Sequence, residues 1–235
     1  LPNEAIATGK NGGTAGNCPS YNNSAIGDQL AILRDFAENP DGAFRAMKEL
    51  KELLVDEEEN IIEAKVMTVA DFYGAEAIVN AMRSNADIRD VQLCGCDIVW
   101  ITTEKLTQAQ EAFVQAGAVD VIVQAMKQFL NKSKDDRYFQ ERAISALSNL
   151  AATRSNLEFL VSQNNDDDDA VGAIVSAMGQ YSDEVGIQAK GCKALTNLAS
   201  HDNSVSIRID IMKKGVGEAI LFNSMAMHAE DSTIQ

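Results

Sequence analysis

The sequence contains few residues that break helices. Its three prolines lie at positions 2, 19 and 40 of 235, so the last 195 residues contain none. Proline ends or kinks a helix, whereas alanine, leucine and methionine, which are frequent here, favour one. No apolar run approaches the ~18 residues that a membrane span needs. The composition predicts an all-α chain without a membrane-spanning helix.

Histidine and cysteine are also scarce, which limits catalytic and metal chemistry. The two histidines, His201 and His228, both lie near the C-terminal end, so no cluster of His and Cys has the spacing of a metal site. Cys94 and Cys96 are two residues apart on a predicted helix and point to different sides. We expect no enzymatic activity, no metal and no cofactor.

The signals of secretion are absent too. No charged segment followed by an apolar one opens the chain, and four cysteines do not form a disulfide framework at this length. We therefore expect an intracellular protein in a reducing compartment, the cytoplasm, with the nucleus as the alternative. The chain begins with Leu1 rather than Met, which suggests a piece of a longer protein.

Basic residues are outnumbered by acidic ones. The chain has 20 Lys and Arg against 35 Asp and Glu, a net charge of -15. Such a field repels phosphate backbones and anionic lipids, so neither nucleic acid nor a membrane is an expected partner. A basic peptide or protein is the favoured partner. Charge kept only for solubility explains the same excess equally well.

What the sequence does contain is an internal repeat. Gln92, Gln140 and Gln188 open similar stretches, and both intervals are 48 residues. The two clearest copies read QERAISALSNLAA and QAKGCKALTNLAS, and the weaker first copy reads QLCGCDIVWITT. Self-similarity at this period predicts stacked helical repeats, because one unit cannot bury its apolar face alone.

A second motif recurs before each of these stretches. It reads AIVNAM from Ala77, VIVQAM from Val121 and AIVSAM from Ala173, with a partial copy at Ala219–Phe222. The intervals vary, so loop lengths change around a constant core, as a solenoid tolerates. Each full unit reads as a first helix, a break, a second helix carrying this motif, and a third helix that begins near the glutamine.

One position of the third helix always holds a small residue. It is Gly95, Ala143 or Gly191, and glycine costs roughly 1 kcal/mol inside a helix. We expect the small residue to allow the backbone of another helix to approach closely. The larger apolar residues of the third helices should form a continuous spine: Val99, Leu147, Leu150, Leu195 and Leu198.

The remaining segments divide the chain. Residues 1–23 lack periodicity and predict a flexible arm. Residues 24–58 predict two capping helices, Ile26–Ala37 and Ala43–Val55, joined by a turn at Pro40–Gly42. Residues 59–235 predict the solenoid.

Two details inside the solenoid are also predicted. A helix should run from Asn60 to Tyr73 and end at Gly74. Asn164–Asp169 carries four successive carboxylates but lacks the ligand spacing of a calcium loop, and predicts a solvated, mobile loop.

The glutamine-led stretches resemble the armadillo repeat. Its pattern of Gln, a small residue and Ala-Leu-x-Asn-Leu-Ala is carried by Gln140–Ala151 and Gln188–Ala199. The short helix ending in Gly matches Gln115–Ala118 and Lys213–Val216, and the resemblance covers about residues 59–228. It implies a right-handed α-solenoid of about three full three-helix repeats plus partial capping repeats. HEAT-type repeats are the alternative, but they have two helices per unit.

The resemblance implies a binding groove. In armadillo proteins the third helices line a concave groove, and a ladder of Asn side chains holds an extended peptide there; Asn149 and Asn197 occupy those positions. The alternative is that both Asn only tie down neighbouring loops. Peptide-binding members also carry Trp four residues before each Asn. This chain has Asp97, Ser145 and Lys193 instead, which argues against a nuclear-import adaptor.

The only tryptophan lies one residue before the first ladder position. Trp100 is either an anchor for a partner or a core residue. The candidate peptide-binding residues are therefore Asn149, Asn197, Ser145, Lys193, Asp97, Trp100 and Glu141.

These observations predict a scaffold that binds a protein or an extended, basic peptide. One alternative is a regulatory or assembly module of a larger protein that uses its convex face. An enzyme on a helical-repeat framework is the least favoured alternative. The sequence specifies no oligomeric state.

Overall fold

A computed structural model describes residues 25–58, 60–70, 72–130, 133, 135–161, 169–200, 205–214, 225 and 230. The predicted arm and the last copy of the second-helix motif, Ala219–Phe222, lie outside these residues. Within them the chain is helical, and its one β pairing is an isolated bridge between Val55 and Ile61. The all-α prediction is confirmed.

Twelve α-helices form in the described residues. They are α1 (Ala25–Asp35), α2 (Pro40–Leu53), α3 (Glu63–Val69), α4 (Phe72–Ser84), α5 (Arg89–Thr103), α6 (Thr107–Gln115), α7 (Ala118–Gln128), α8 (Asp136–Leu150), α9 (Leu157–Leu160), α10 (Ala170–Gln180), α11 (Val185–Ser200) and α12 (Val205–Lys213), with a 3-10 turn at Arg154–Asn156. The three full units are α3–α5, α6–α8 and α9–α11. Helices α1 and α2 correspond to the second and third helices of a partial unit.

The predicted turn at Pro40–Gly42 is wrong. These residues form the first turn of α2, because proline is well suited to the first helical position. The Asn39 side chain caps the helix by accepting from the Gly42 N–H at 3.1 Å. Helix α2 then ends at Leu53 rather than Val55.

The predicted helix Asn60–Tyr73 is also wrong. Helix α3 ends at Val69, and Gly74 lies in the first turn of α4. A Cβ atom on Gly74 would stand 2.6 Å from the Val69 carbonyl oxygen. This glycine therefore allows two helices to meet closely, and it does not end either of them.

The acidic loop prediction fails at its last residue. Asp169 is buried and caps α10, accepting from the Gly172 N–H at 2.8 Å. Its carboxylate also lies 2.9 Å from Lys214 Nζ. Asn164–Asp168 lie outside the described residues.

Each repeat glutamine ties its third helix to the end of the second helix. Gln188 is fully buried, and its Nε2 donates to the Met178 and Tyr181 carbonyls at 2.8 and 2.9 Å. The other two ties are Gln92 to Met82 and Asn85, at 2.7 and 2.9 Å, and Gln140 to Met126, at 2.8 Å. Carbonyls at a helix end have lost their regular intrahelical donors, and the amide adds a donor to the backbone N–H groups that some of them accept.

The small residue of the third helix faces a methionine. A Cβ atom on Gly95 would stand 2.4 Å from Met82 Sδ, and on Gly191 2.4 Å from Met178 Sδ. The close neighbour is therefore a side chain of the second helix, whereas a helix backbone was predicted. Ala143 holds this position in the middle unit, and the flexible thioether of methionine suits such variation.

The third helices pack against one another in series, α2 on α5, α5 on α8 and α8 on α11. The predicted apolar spine is confirmed, since every member is at most 5% exposed: Val99, Leu147, Leu150, Leu195 and Leu198. None of the described helices is long and apolar enough to cross a membrane.

The glutamine ties predict a stability change. Gln188→Met keeps the side-chain length but removes the amide donor that both carbonyls share, although Tyr181 still accepts from the Glu184 N–H at 3.1 Å. We expect the free energy of unfolding to fall by about 1–3 kcal/mol, measured by urea denaturation followed by circular dichroism. Gln180→Met, at an exposed position of α10, is the control and should change little. Equal midpoints for the two variants would contradict this role.

Candidate interaction face on the third helices

The solvent-facing side chains of α2, α5, α8 and α11 form one surface, here named the third-helix face. Of the predicted ladder residues, Asn197 is half-buried at this surface, and Asn149 is buried beneath it at 8% exposure. Asn149 Nδ2 donates to the Trp100 carbonyl at 3.1 Å, and Asn197 Nδ2 donates to the Ser148 carbonyl at 2.9 Å. Both amide nitrogens thus bind the preceding third helix. Among the described residues no donor is placed against either amide oxygen.

A buried carboxylate joins three successive third helices. Asp97 of α5 is 3% exposed. Its Oδ2 lies 3.1 Å from Lys51 Nζ of α2, and its Oδ1 lies 3.4 Å from Arg142 Nε of α8. One negative charge therefore holds two positive charges at the surface.

The charge state of Lys51 follows from this contact. Partial burial alone would lower the pKa of Lys51, but the hydrogen bond and the negative charge of Asp97 raise it above its ordinary value. Lys51 is therefore cationic throughout the neutral range.

Arg142 lies between two aromatic rings. Its guanidinium carbon is 4.4 Å from the Trp100 ring centroid and 4.9 Å from the Tyr138 ring centroid. Both distances fit cation–π contact. Trp100 is half-buried beneath this guanidinium. Arg142 and Lys51 were not among the predicted residues, and only their charge at a third-helix position could have indicated them.

The other predicted residues lie apart from this cluster. Ser145 is buried, and its hydroxyl donates to the Glu141 carbonyl at 2.8 Å. The Glu141 carboxylate faces α11, where a Cβ on Gly186 would stand 2.7 Å from Oε2. Lys193 is exposed on α11. Of the predicted residues, Asp97 and Trp100 therefore share a contact with Arg142, whereas Lys193 stands apart on α11 and is exposed to solvent.

The charge of the third helices differs from that of the chain. Helices α2, α5, α8 and α11 together carry eight basic and seven acidic residues, against 20 and 35 in the whole chain. Helices α8 and α11 carry four basic and two acidic residues. The acidic excess therefore lies elsewhere in the chain.

The cysteines of the described helices are packing residues. Burial raises the pKa of Cys94 to about 11, and it raises that of Cys96 further. Cys192 is half-buried, and burial raises its pKa as well. All three are free thiols. No group of three potential metal ligands occurs in the part of the chain that the structure describes.

Three-helix units whose third helices pack in series define an armadillo-type helical-repeat scaffold. The chain belongs to the LRRK2 ARM repeat family, whose model matches residues 29–235. Comparison with curated proteins and with solved structures gave no match. The family match begins within α1, so it also includes most of the two helices that were predicted as a cap.

The Asp97 contacts predict a pH-dependent stability. In Asp97→Asn, Lys51 and Arg142 lose their shared counter-charge, which should cost about 1–2 kcal/mol at pH 7 because both partners are partly exposed. The folded pKa of Lys51 is raised, so its share is fully present below the unfolded pKa of about 10.4 and is lost as pH rises through the folded value. Urea denaturation at several pH values should show the difference from wild type shrinking above about pH 10.4.

The control for this measurement is Asp90→Asn. Asp90 is exposed on the same helix and forms only a 3.7 Å ion pair with Arg89. We expect its effect to stay within about 0.5 kcal/mol. A loss in Asp97→Asn no larger than this would show that the buried carboxylate does not stabilise the stack.

The buried thiols predict low reactivity. With a pKa of about 11, roughly a thousandth of Cys94 is thiolate at pH 8, and only the thiolate reacts. We expect alkylation of Cys94 and Cys96, mapped by peptide mass spectrometry, to be slow in the native protein and fast in urea. Similar rates in the two conditions would contradict their burial.

Proposed function

We propose that the chain is a non-enzymatic protein-interaction scaffold that binds an extended segment of a partner on its third-helix face. The observation that carries this proposal is the series of four third helices whose side chains are held in register by ties between repeats. The family supports it, because armadillo repeats are generally scaffolds of protein interaction.

The spacing of the third helices suits an extended chain. Packed helices lie roughly 8–10 Å apart, and three residues of extended backbone span roughly 10 Å. Asn149 and Asn197 hold the same position on adjacent third helices, and among the described residues no donor is placed against either amide oxygen, which can accept a backbone N–H. The Asn pair would thus serve two purposes, a tie through nitrogen and a contact through oxygen.

The sign of the charge on the partner segment is a separate part of the proposal. For the molecule as a whole, the net charge of -15 favours a basic segment as the partner. On the third helices basic and acidic residues nearly balance, so local side chains decide what binds there. We place the scaffold inside the cell, in the cytoplasm or nucleus, where the free thiols of the described helices stay reduced.

A second candidate function uses the opposite side of the stack. Helices α1 and α4, both second helices, enclose a hollow of about 370 Å³ lined mainly by apolar side chains. Leu30, Leu33 and Ala77 form its floor, and Glu76 lies at its exposed edge. An assembly module of a larger protein could use this hollow to hold a neighbouring element.

Two matched variants decide between these faces. Thr196→Trp places a bulky ring at an exposed position of α11, and Glu76→Trp places one at the hollow. Peptides selected on the wild-type protein from a random display library should bind Thr196→Trp at least about tenfold more weakly, because the ring occupies the path of the segment. Their affinity for Glu76→Trp should be unchanged. The reverse result would favour the assembly module.

A further inference from the structure

We propose that Arg142 is the main recognition residue of the third-helix face and that it binds an acidic side chain of the partner. This inference rests on the proposed function, since it names the chemistry of the segment that would lie on that face. The site is the cluster of Arg142 with Lys51, Asp97, Trp100 and Tyr138.

The geometry holds the guanidinium in place before any ligand arrives. Asp97 Oδ1 lies 3.4 Å from Nε in an ion pair without a hydrogen bond, while Trp100 and Tyr138 contact the planar group. The two terminal nitrogens have no acceptor among the described residues, and the side chain is 25% exposed. A guanidinium fork held in this way matches a carboxylate through two parallel hydrogen bonds, and little side-chain freedom is lost on binding.

The nearby charges favour an anion. Lys51 lies on the other side of Asp97, so the cluster contains two cations and one buried carboxylate. Lys190 lies 48 residues after Arg142, at the same position of the next third helix, and Lys193 is one turn further along it. The opposing charges are Glu141, whose carboxylate faces Gly186 of α11, and Asp135 and Glu184, which line the same hollow as Tyr138. Glu184 is paired with Arg137.

A basic segment does not fit this surface. It would meet Arg142, Lys190 and Lys193 at contact distance, where like charges repel strongly. The acidic excess of the chain lies outside the third helices and is screened beyond about 8 Å at physiological salt. A short segment with a few carboxylates therefore meets a locally favourable field.

The repeat spacing specifies where the acidic residues of the segment lie. Arg142 and Lys190 belong to adjacent third helices, which pack roughly 10 Å apart. Extended backbone covers that distance in about three residues. Acidic side chains at every third residue would therefore reach both cations.

Three synthetic dodecapeptides test the inference on the whole chain. They are fluorescein-labelled repeats of Glu-Ser-Ala, Gln-Ser-Ala and Lys-Ser-Ala, and anisotropy gives their affinities. We expect the Glu peptide to bind at least about tenfold more tightly than either of the others, the size expected for a charge-assisted contact. Trp100 is the only tryptophan, so a change in its emission on titration with the unlabelled Glu peptide reports binding at this cluster.

Substitutions that each remove one positive charge show where the peptide makes its contact. Arg142→Gln should weaken the Glu peptide about tenfold and abolish the emission change, and Arg142→Lys should recover only part of the affinity because ammonium lacks the planar fork. Lys190→Gln should weaken binding less. Arg34→Gln, at an exposed position of α1, is the matched control and should have no effect. Circular dichroism of each variant excludes loss of the fold.

The outcomes separate this inference from the proposed function. If display-selected peptides bind the third-helix face but are basic or neutral, or if Arg142→Gln leaves the affinity of the Glu peptide unchanged, the inference is overturned and the scaffold proposal stands. If Thr196→Trp has no effect on any selected peptide, the proposed function itself fails, and this inference fails with it.

Discussion

A buried amide in each repeat sets the geometry on which the stack depends. Gln92, Gln140 and Gln188 are all fully buried, and each donates to the carbonyls that end the second helix. The acceptor end of the amide contributes less, because the Oε1 atoms of Gln92 and Gln140 are buried without a hydrogen bond. The carbonyls of Met82, Asn85 and Tyr181 also accept backbone N–H groups, so the amide supplies a second donor there. Losing a buried hydrogen bond of this kind costs about 1–3 kcal/mol. The donor therefore explains why an amide occupies the position.

Once the second and third helices are fixed in each unit, contacts between units need to span only one repeat. Lys51 reaches Asp97, Arg89 reaches Asp136, and Asn149 reaches the Trp100 carbonyl, over 46, 47 and 49 residues. Each of these links joins neighbours alone, as in a one-dimensional stack. The third-helix face is therefore built from local steps, and a substitution on one helix should affect mainly the units on either side of it.

The period, the glutamines and the apolar spine could be predicted from the sequence because each of these features recurs along it. Pro40 and Gly74 were misread because each residue type has two uses, as a break or as a specific helix position, and only tertiary contacts distinguish them. Arg142 was missed for another reason. The same position holds Cys94 in the preceding unit, and two of the groups that position Arg142, the Trp100 ring and the Asp97 carboxylate, lie more than 40 residues away.

Net charge and contact charge act over different distances in this molecule. The excess of acidic residues lies outside the third helices, so an acidic segment would be repelled on approach and attracted only within contact range of Arg142. Salt screens the long-range repulsion more strongly than the short, partly buried contact. Moderate salt should therefore raise the association rate of such a segment while its dissociation rate rises only slightly. A basic segment would be attracted at long range, and added salt would slow its association. The sign of the salt effect on association thus distinguishes the two kinds of partner without knowledge of their sequences.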